Sequence, residues 1–179
     1  GKALKFNGKE YVSIPNNAIL NPQDSLTISF FAKIEKFDPK KVIMILSKGS
    51  YDEDHRSYRI NLWSGKINFV LGLTTGKVVV SVPVEDYLQN WHHFIFTYNG
   101  TYADIYVDGK LVAWKAVNGS IIPSPFDLEI GRDAVRKTHY YVGYIDELQI
   151  SNESLKVEEV VKQYFRYYAL RVGQVPLPN

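Results

Sequence analysis

Hydrophobic residues recur at alternate positions in short runs, and turn residues close each run. Leu26, Ile28, Phe30, Ala32 and Ile34 are interleaved with Thr27, Ser29 and Lys33, the period of a half-buried strand. Ala3–Phe6 and Tyr11–Ile14 flank the turn Asn7-Gly8-Lys9, and the continuous apolar run Val42–Leu46 predicts a central strand. Tyr58–Trp63 and Lys66–Leu71 enclose Ser64-Gly65, and Phe94–Tyr98 and Ala103–Val107 enclose Asn99-Gly100; both patterns predict hairpins. Lys77–Val82 follows Thr75-Gly76, Lys110–Val117 follows Asp108-Gly109, and Leu128–Ile130 and Tyr140–Ile150 complete the strands. About a dozen strands are too many for one open sheet, so an all-β, antiparallel two-sheet sandwich is predicted.

The period changes near the end of the chain. Leu155, Val160, Val161, Tyr164, Phe165 and Tyr168 share one face at helical spacing, which predicts one C-terminal helix packed outside a sheet. Arg171–Asn179 carries two prolines and reads as a tail. The expected organisation is one domain over 1–165 and a C-terminal extension over 166–179.

Composition sets bounds. The 179 residues suit one domain, and 45% of them are hydrophobic, enough for a substantial core. Net charge is +2 with scattered basic residues, so no basic stripe points to nucleic acid. There is no cysteine, hence no disulfide framework or thiolate metal site. No apolar run approaches the ~18–20 residues of a membrane span, so membrane insertion is not expected. No signal peptide precedes Gly1, and the chain reads as a mature or excised fragment of a longer protein. Sequons at Asn99, Asn118 and Asn152 fall in predicted turns; they are glycan acceptors or simply turn composition.

Several segments in order carry a resemblance. They are Phe6-Asn7-Gly8-Lys9-Glu10-Tyr11-Val12-Ser13-Ile14-Pro15, Ser25 to Lys33, Leu46-Ser47-Lys48-Gly49, Trp91 to Tyr98 followed by Ile105 to Val112, and Gly143-Tyr144-Ile145-Asp146-Glu147-Leu148-Gln149-Ile150. Together, over roughly residues 3 to 165, they resemble the concanavalin A-like, laminin G/pentraxin family of jelly-roll domains. The first segment looks like that family's opening hairpin. The resemblance implies a small polar cap just after Leu155. Lys156 stands there and is a poor cap, so a helix start at Ser151 or Asn152 is expected instead.

The resemblance also implies a structural calcium near Asp146, with a carbonyl oxygen from the Asn-Gly turn, here Gly8. Ile145 and Leu148 both suit the core yet lie three apart, and a bulge at Asp146-Glu147 would correct the phase and re-aim the Asp. The alternative is an Asp146 that bonds backbone amides or a nearby Lys. Glycosidases of this fold carry Glu-x-Asp-x-x-Glu on one strand, and no such run is present. Asp146 and Glu147, being adjacent, would face opposite ways in a regular strand. With no nucleophile elbow and no phosphate-binding glycine loop, the chain is read as noncatalytic. His92 and His93 likewise should face opposite ways, one beside Trp91 and one on a sheet surface. His55 and His139 lie in separate loops without ligand spacing.

Sugar recognition needs aromatic faces and planar polar groups. The loops 51–56 and 132–140 supply both, and Tyr51, His55, Arg56, Arg132 and Tyr140 are the candidate ligand rim. Trp63 and Trp114 are read as packing residues first and ligand contacts second. The aromatic stretch Tyr164–Tyr168 suits contact with another domain, a second copy of the chain, or the tail folding back. The leading expectation is a noncatalytic, extracellular or cell-surface recognition module that binds carbohydrate or glycoprotein. The alternative is a protein-adhesion or assembly module, such as an adhesin, surface-layer or virion component. An accessory domain of a secreted hydrolase, and last a glycosidase with displaced acids, remain open.

Overall fold

The computed structural model describes residues 2–49 and 56–172. Among them, twelve strands build two antiparallel six-stranded sheets. Sheet A runs β1 (Leu4–Asn7), β12 (Val142–Ser151), β3 (Leu26–Ile34), β8 (Trp91–Tyr98), β9 (Tyr102–Val107), β10 (Lys110–Ala116). Sheet B runs β2 (Val12–Ile14), β11 (Leu128–Ile130), β4 (Ile43–Lys48), β5 (Tyr58–Trp63), β6 (Lys66–Leu73), β7 (Gly76–Pro83). The architecture is the expected jelly-roll sandwich.

Alternation fills the space between the sheets. Leu26, Ile28, Phe30, Ala32 and Ile34 all point into one core with Phe94 and Phe96 from β8 and Phe69 from β6. Phe96 bridges the layers, with its ring 5.7 Å from Phe30 and 5.5 Å from Phe69. The predicted hairpins form. Ser64-Gly65 and Asp108-Gly109 take φ of 52°, 75°, 51° and 78°, the paired left-handed geometry that matches strand twist. In the Asn99-Gly100 turn the Asn99 side chain accepts from the amides of Thr101 and Tyr102, so its composition is explained by the turn itself.

The segment read as an opening hairpin is not one. β1 pairs with β12 and β2 with β11, so Asn7-Gly8-Lys9 carries the chain from one sheet to the other. The expected bulge does form. Pairing of β12 with β3 shifts between Asp146 and Gln149, Glu147 has φ 53°, and both Ile145 and Leu148 reach the core.

The helix α1 spans Val157–Val172, later than the expected start at Ser151 or Asn152. Ser151 belongs to β12, and the Ser25 and Thr27 hydroxyls hold the carbonyls of Asn152 and Glu153. Lys156 caps the helix after all, because Glu159 three residues on accepts its backbone N–H at 2.8 Å, half of a capping box. The boundary drawn at 165/166 falls inside α1. Val160 packs with Ile95 and Tyr106 on the outward face of sheet A, and Tyr167 closes on Phe31 and His93. Phe165 and Tyr168, expected on the docked face, are each 40% exposed. The stripe Val160, Gln163, Tyr164, Tyr167 is the docked face.

The two histidines do face opposite ways, and the Trp91 ring meets Tyr144 at 6.0 Å. His93 is buried and stacks on Phe31 at 4.4 Å beneath α1. His92 Nδ1 sits 2.7 Å from Asp108. At the end of β4 the buried Lys48 ammonium donates to Asn16 Oδ1 at 2.8 Å and to the carbonyls of Ser124, at 2.7 Å, and Phe126. Its three protons thus tie two loops to the strand.

Candidate functional site

On sheet B the alternation that sends Tyr58, Ile60 and Leu62 inward sends Arg59, Asn61 and Trp63 outward. The same parity turns Asn68 and Ser81 outward from β6 and β7. Asn68 Nδ2 donates to Asn61 Oδ1 at 3.0 Å, and Ser81 Oγ donates to Asn68 Oδ1 at 2.6 Å. This ladder sits in an otherwise buried position, where polar groups are retained when they satisfy one another. Trp63 stands beyond it, 54% exposed, against the expectation of packing. Trp114 is likewise exposed on β10, edge-on to Tyr102 at 5.9 Å.

The other end of the same face is organised by Glu129, the one outward residue between Leu128 and Ile130. Its buried carboxylate accepts from Ser13 Oγ at 3.0 Å, Arg132 Nε at 2.9 Å and Lys137 Nζ at 2.5 Å. Burial alone would raise the Glu129 carboxyl, but the hydrogen bonds from Arg132, Lys137 and Ser13 outweigh it and hold the group below its ordinary value. Arg132 is raised in turn, chiefly by that carboxylate, with Tyr140 also bonded to it. The guanidinium lies 3.2 Å from the centroid of the half-exposed Tyr11 ring, a cation–π pair.

The loop that carries these groups is pinned. Asp133 Oδ1 accepts from the amides of Val135 and Arg136, the Ala134 amide donates to Ser47 Oγ, and the Asp133 amide donates to the Thr138 carbonyl. Lys137 and His139 hold φ of 53° and 60°, uncommon without glycine. The face therefore presents guanidinium and ammonium groups fixed by Glu129 beside the exposed Tyr11 ring, together with the exposed Trp63 ring, while the Asn61 and Asn68 amides are buried.

Of the predicted rim, the structure brings Arg132 and Tyr140 together. Arg56 lies against Gly72, where an added Cβ would fall 2.5 Å from the Arg56 Cβ. Tyr51 and His55 lie outside the described residues. Tyr11, Glu129 and Lys137 were not singled out from the sequence. Glu129 carried a signal: a lone charge between two core residues of a short strand must face outward and needs partners.

The implied calcium pair does not fit one ion. Gly8 adjoins Val142, whose side chain an added Cβ would meet at 3.3 Å, while Asp146 lies four positions further along β12, about 13 Å at ~3.3 Å per residue. Asp146 Oδ1 accepts the Glu147 amide at 2.9 Å. Among the described residues no group of three or more His, Asp or Glu is placed to hold a metal.

Comparison with known proteins agrees with this architecture. Calsyntenin-1 of Rattus norvegicus and of Mus musculus are each 25% identical over 116 residues, which is 60% of this chain and 12% of theirs. The chain thus matches about an eighth of those relatives' length. The botulinum neurotoxin serotype G binding domain superposes with TM-score 0.68 at 14% identity, over 92% of this chain and 46% of that one. A second structure, a botulinum neurotoxin type G receptor binding domain, gives 0.66 at 16%, with the same coverage. At such identities these likenesses show the fold alone. A laminin G-like family model, described as the concanavalin A-like lectin/glucanases superfamily, matches residues 6–161. That span is most of the chain, and the protein belongs to the concanavalin A-like lectin/glucanases superfamily as a laminin G-like domain.

Proposed function

We propose that this domain is a noncatalytic recognition module of an extracellular or cell-surface protein, and that the outward face of sheet B binds carbohydrate. The observation that carries the reading is the Arg132 guanidinium, fixed by Glu129 and laid on the exposed Tyr11 ring, on the same face as the exposed Trp63 ring. Sugars present hydroxyls at their edges and apolar C–H patches on their faces, which planar polar groups and aromatic rings match. Glu129 supports the noncatalytic part: a general acid needs a raised pKa, whereas this carboxyl is lowered and committed to two cations. Membership of a superfamily that includes lectins, and the likeness to domains known as binding domains, support a recognition role.

The test is a glycan array at physiological salt, run with and without calcium. One glycan class should be retained, and Trp63→Ala and Tyr11→Ala should each weaken it about tenfold, equivalent to ~1.4 kcal/mol. An array with no retained glycan, or retention indifferent to both substitutions, would sink the reading.

A second reading is favoured by a different surface. Phe165, Tyr168, Leu111, Val112 and Trp114 are all substantially exposed on the sheet A side, as at a protein contact. If that surface joins two copies of the chain, light scattering will show a dimer that Phe165→Ser with Tyr168→Ser converts to monomer. A monomer at every concentration removes it.

A further inference from the structure

Where α1 crosses sheet A it closes only along one side. Val160 and Tyr164 lie down on β8 and β9 and Tyr167 between β3 and β8, while towards β12 a cleft of about 400 Å³ stays open between helix and sheet. Its floor is polar. Ser29 and Thr27, both buried, face up from β3. Gln163 Nε2 donates to Ser29 Oγ at 3.0 Å and reaches Gln149 Oε1 at 3.4 Å. Gln149 Nε2 donates to the Tyr167 hydroxyl at 2.5 Å, which leaves that hydroxyl its own proton to give.

One acceptor in this network has no donor: Gln163 Oε1 is buried without a hydrogen-bond partner. Such an atom costs ~1–3 kcal/mol, and native proteins rarely leave one bare. The helix wall above adds charge. Lys162 and Arg166, one turn apart, both line the cleft. Glu159 lines it as well, but one of its carboxylate oxygens already caps the helix through Lys156.

We propose that this cleft is a binding site for a small hydroxylated organic anion, of the size and chemistry of a sugar acid. On binding, the Gln163 amide turns so that its Oε1, shut off from the cleft in the free protein, accepts a ligand hydroxyl; another hydroxyl accepts the Tyr167 proton, and the ligand carboxylate meets Lys162 and Arg166. The volume suits a single sugar unit rather than an extended chain. The cleft lies on sheet A, the opposite side of the sandwich from the carbohydrate face on sheet B, so neither site depends on the other.

The test is an NMR titration of the whole chain with D-glucuronate, D-glucose and acetate in parallel. Glucose keeps the hydroxyls without the charge, and acetate keeps the charge without the hydroxyls. Saturable shifts of the Gln149 and Gln163 side-chain amides are expected with glucuronate, with the other two at least about tenfold weaker. Arg166→Ala, an exposed change that a helix tolerates, should weaken glucuronate about tenfold, as should Gln163→Leu. Trp63→Ala should leave it unchanged, which separates this site from the sheet B face. The proposal is overturned if glucuronate does not saturate, as when water alone fills the cleft. It is equally overturned if glucose or acetate binds as well as glucuronate, or if Arg166→Ala has no effect.

Discussion

Gly143→Ala is expected to cost the fold roughly 3–5 kcal/mol, the sum of a backbone penalty and an overlap with main-chain atoms. Gly143 holds φ +149° in β12, the strand next to the edge of sheet A, paired with Phe6 on one side and Ile34 on the other. A Cβ there would fall onto the Lys33 carbonyl oxygen and within 2.6 Å of the Tyr141 hydroxyl. Neither is the free end of a flexible chain. The carbonyl belongs to the neighbouring strand, and the buried Tyr141 hydroxyl is itself donated to that carbonyl at 3.1 Å. Against a total stability of ~5–15 kcal/mol the loss is a large share. Gly76→Ala is the control: φ is +123°, yet nothing lies within 4 Å of the added carbon, so only the backbone part should appear. Urea unfolding of both variants decides it, and equal midpoints would show that the overlap with β3 carries no cost.

Such positions explain what could and could not be read from the chain. Period-two alternation located the strands because the same parity that fills the core appears residue by residue, as in Leu26 to Ile34. Even the bulge at Asp146-Glu147 was legible, since Ile145 and Leu148 could share the core only if the phase broke between them. Pairing was not legible. Asn7-Gly8-Lys9 has the composition of a hairpin turn, and what sends β1 and β2 to different sheets is β12 and β11, more than a hundred residues away. The α1 start was misplaced for a similar reason. The hydroxyls of Ser25 and Thr27 tie the carbonyls of Asn152 and Glu153 to the start of β3, and no local pattern announces a partner that distant.

The site was half legible. Loop length pointed to Arg132 and Tyr140, and these do meet, because Glu129 draws cations from the loop onto the sheet. Trp63 and Trp114 were misjudged. A large apolar side chain on a strand is buried only if something covers its face, and the sequence shows parity but not cover. The same gap separates Phe165 and Tyr168 from Tyr167. All sit at helical spacings, but the groove between β3 and β8 accepts Tyr167 against Phe31 and His93.

Lys48→Met is the second change with a large expected effect, and its signature is in the pH dependence. The buried side chain fills its site with a methylene stem that Met can imitate, but its ammonium serves Asn16, Ser124 and Phe126. Burial pushes the Lys48 ammonium down from 10.5 to about 8, while Asp127 pulls it back up. Below pH 8 folded and unfolded chains both hold the proton, so this group contributes no slope. Between about 8 and 10.5 the unfolded chain holds a proton the folded chain has lost, so stability rises with pH, by up to ~1.4 kcal/mol per unit. Met removes that rise. At neutral pH two effects compete: three oxygens lose their donor at ~1–3 kcal/mol each, and about 3 kcal/mol of ammonium desolvation is recovered. The bare oxygens win by roughly 2–4 kcal/mol, since two of them are main-chain carbonyls held in a closed loop. The gap between wild type and Lys48→Met should therefore widen from pH 7 to pH 10 in urea unfolding. A gap that stays constant across that range would mean that the folded lysine keeps its ordinary pKa and that its three acceptors fully offset its burial.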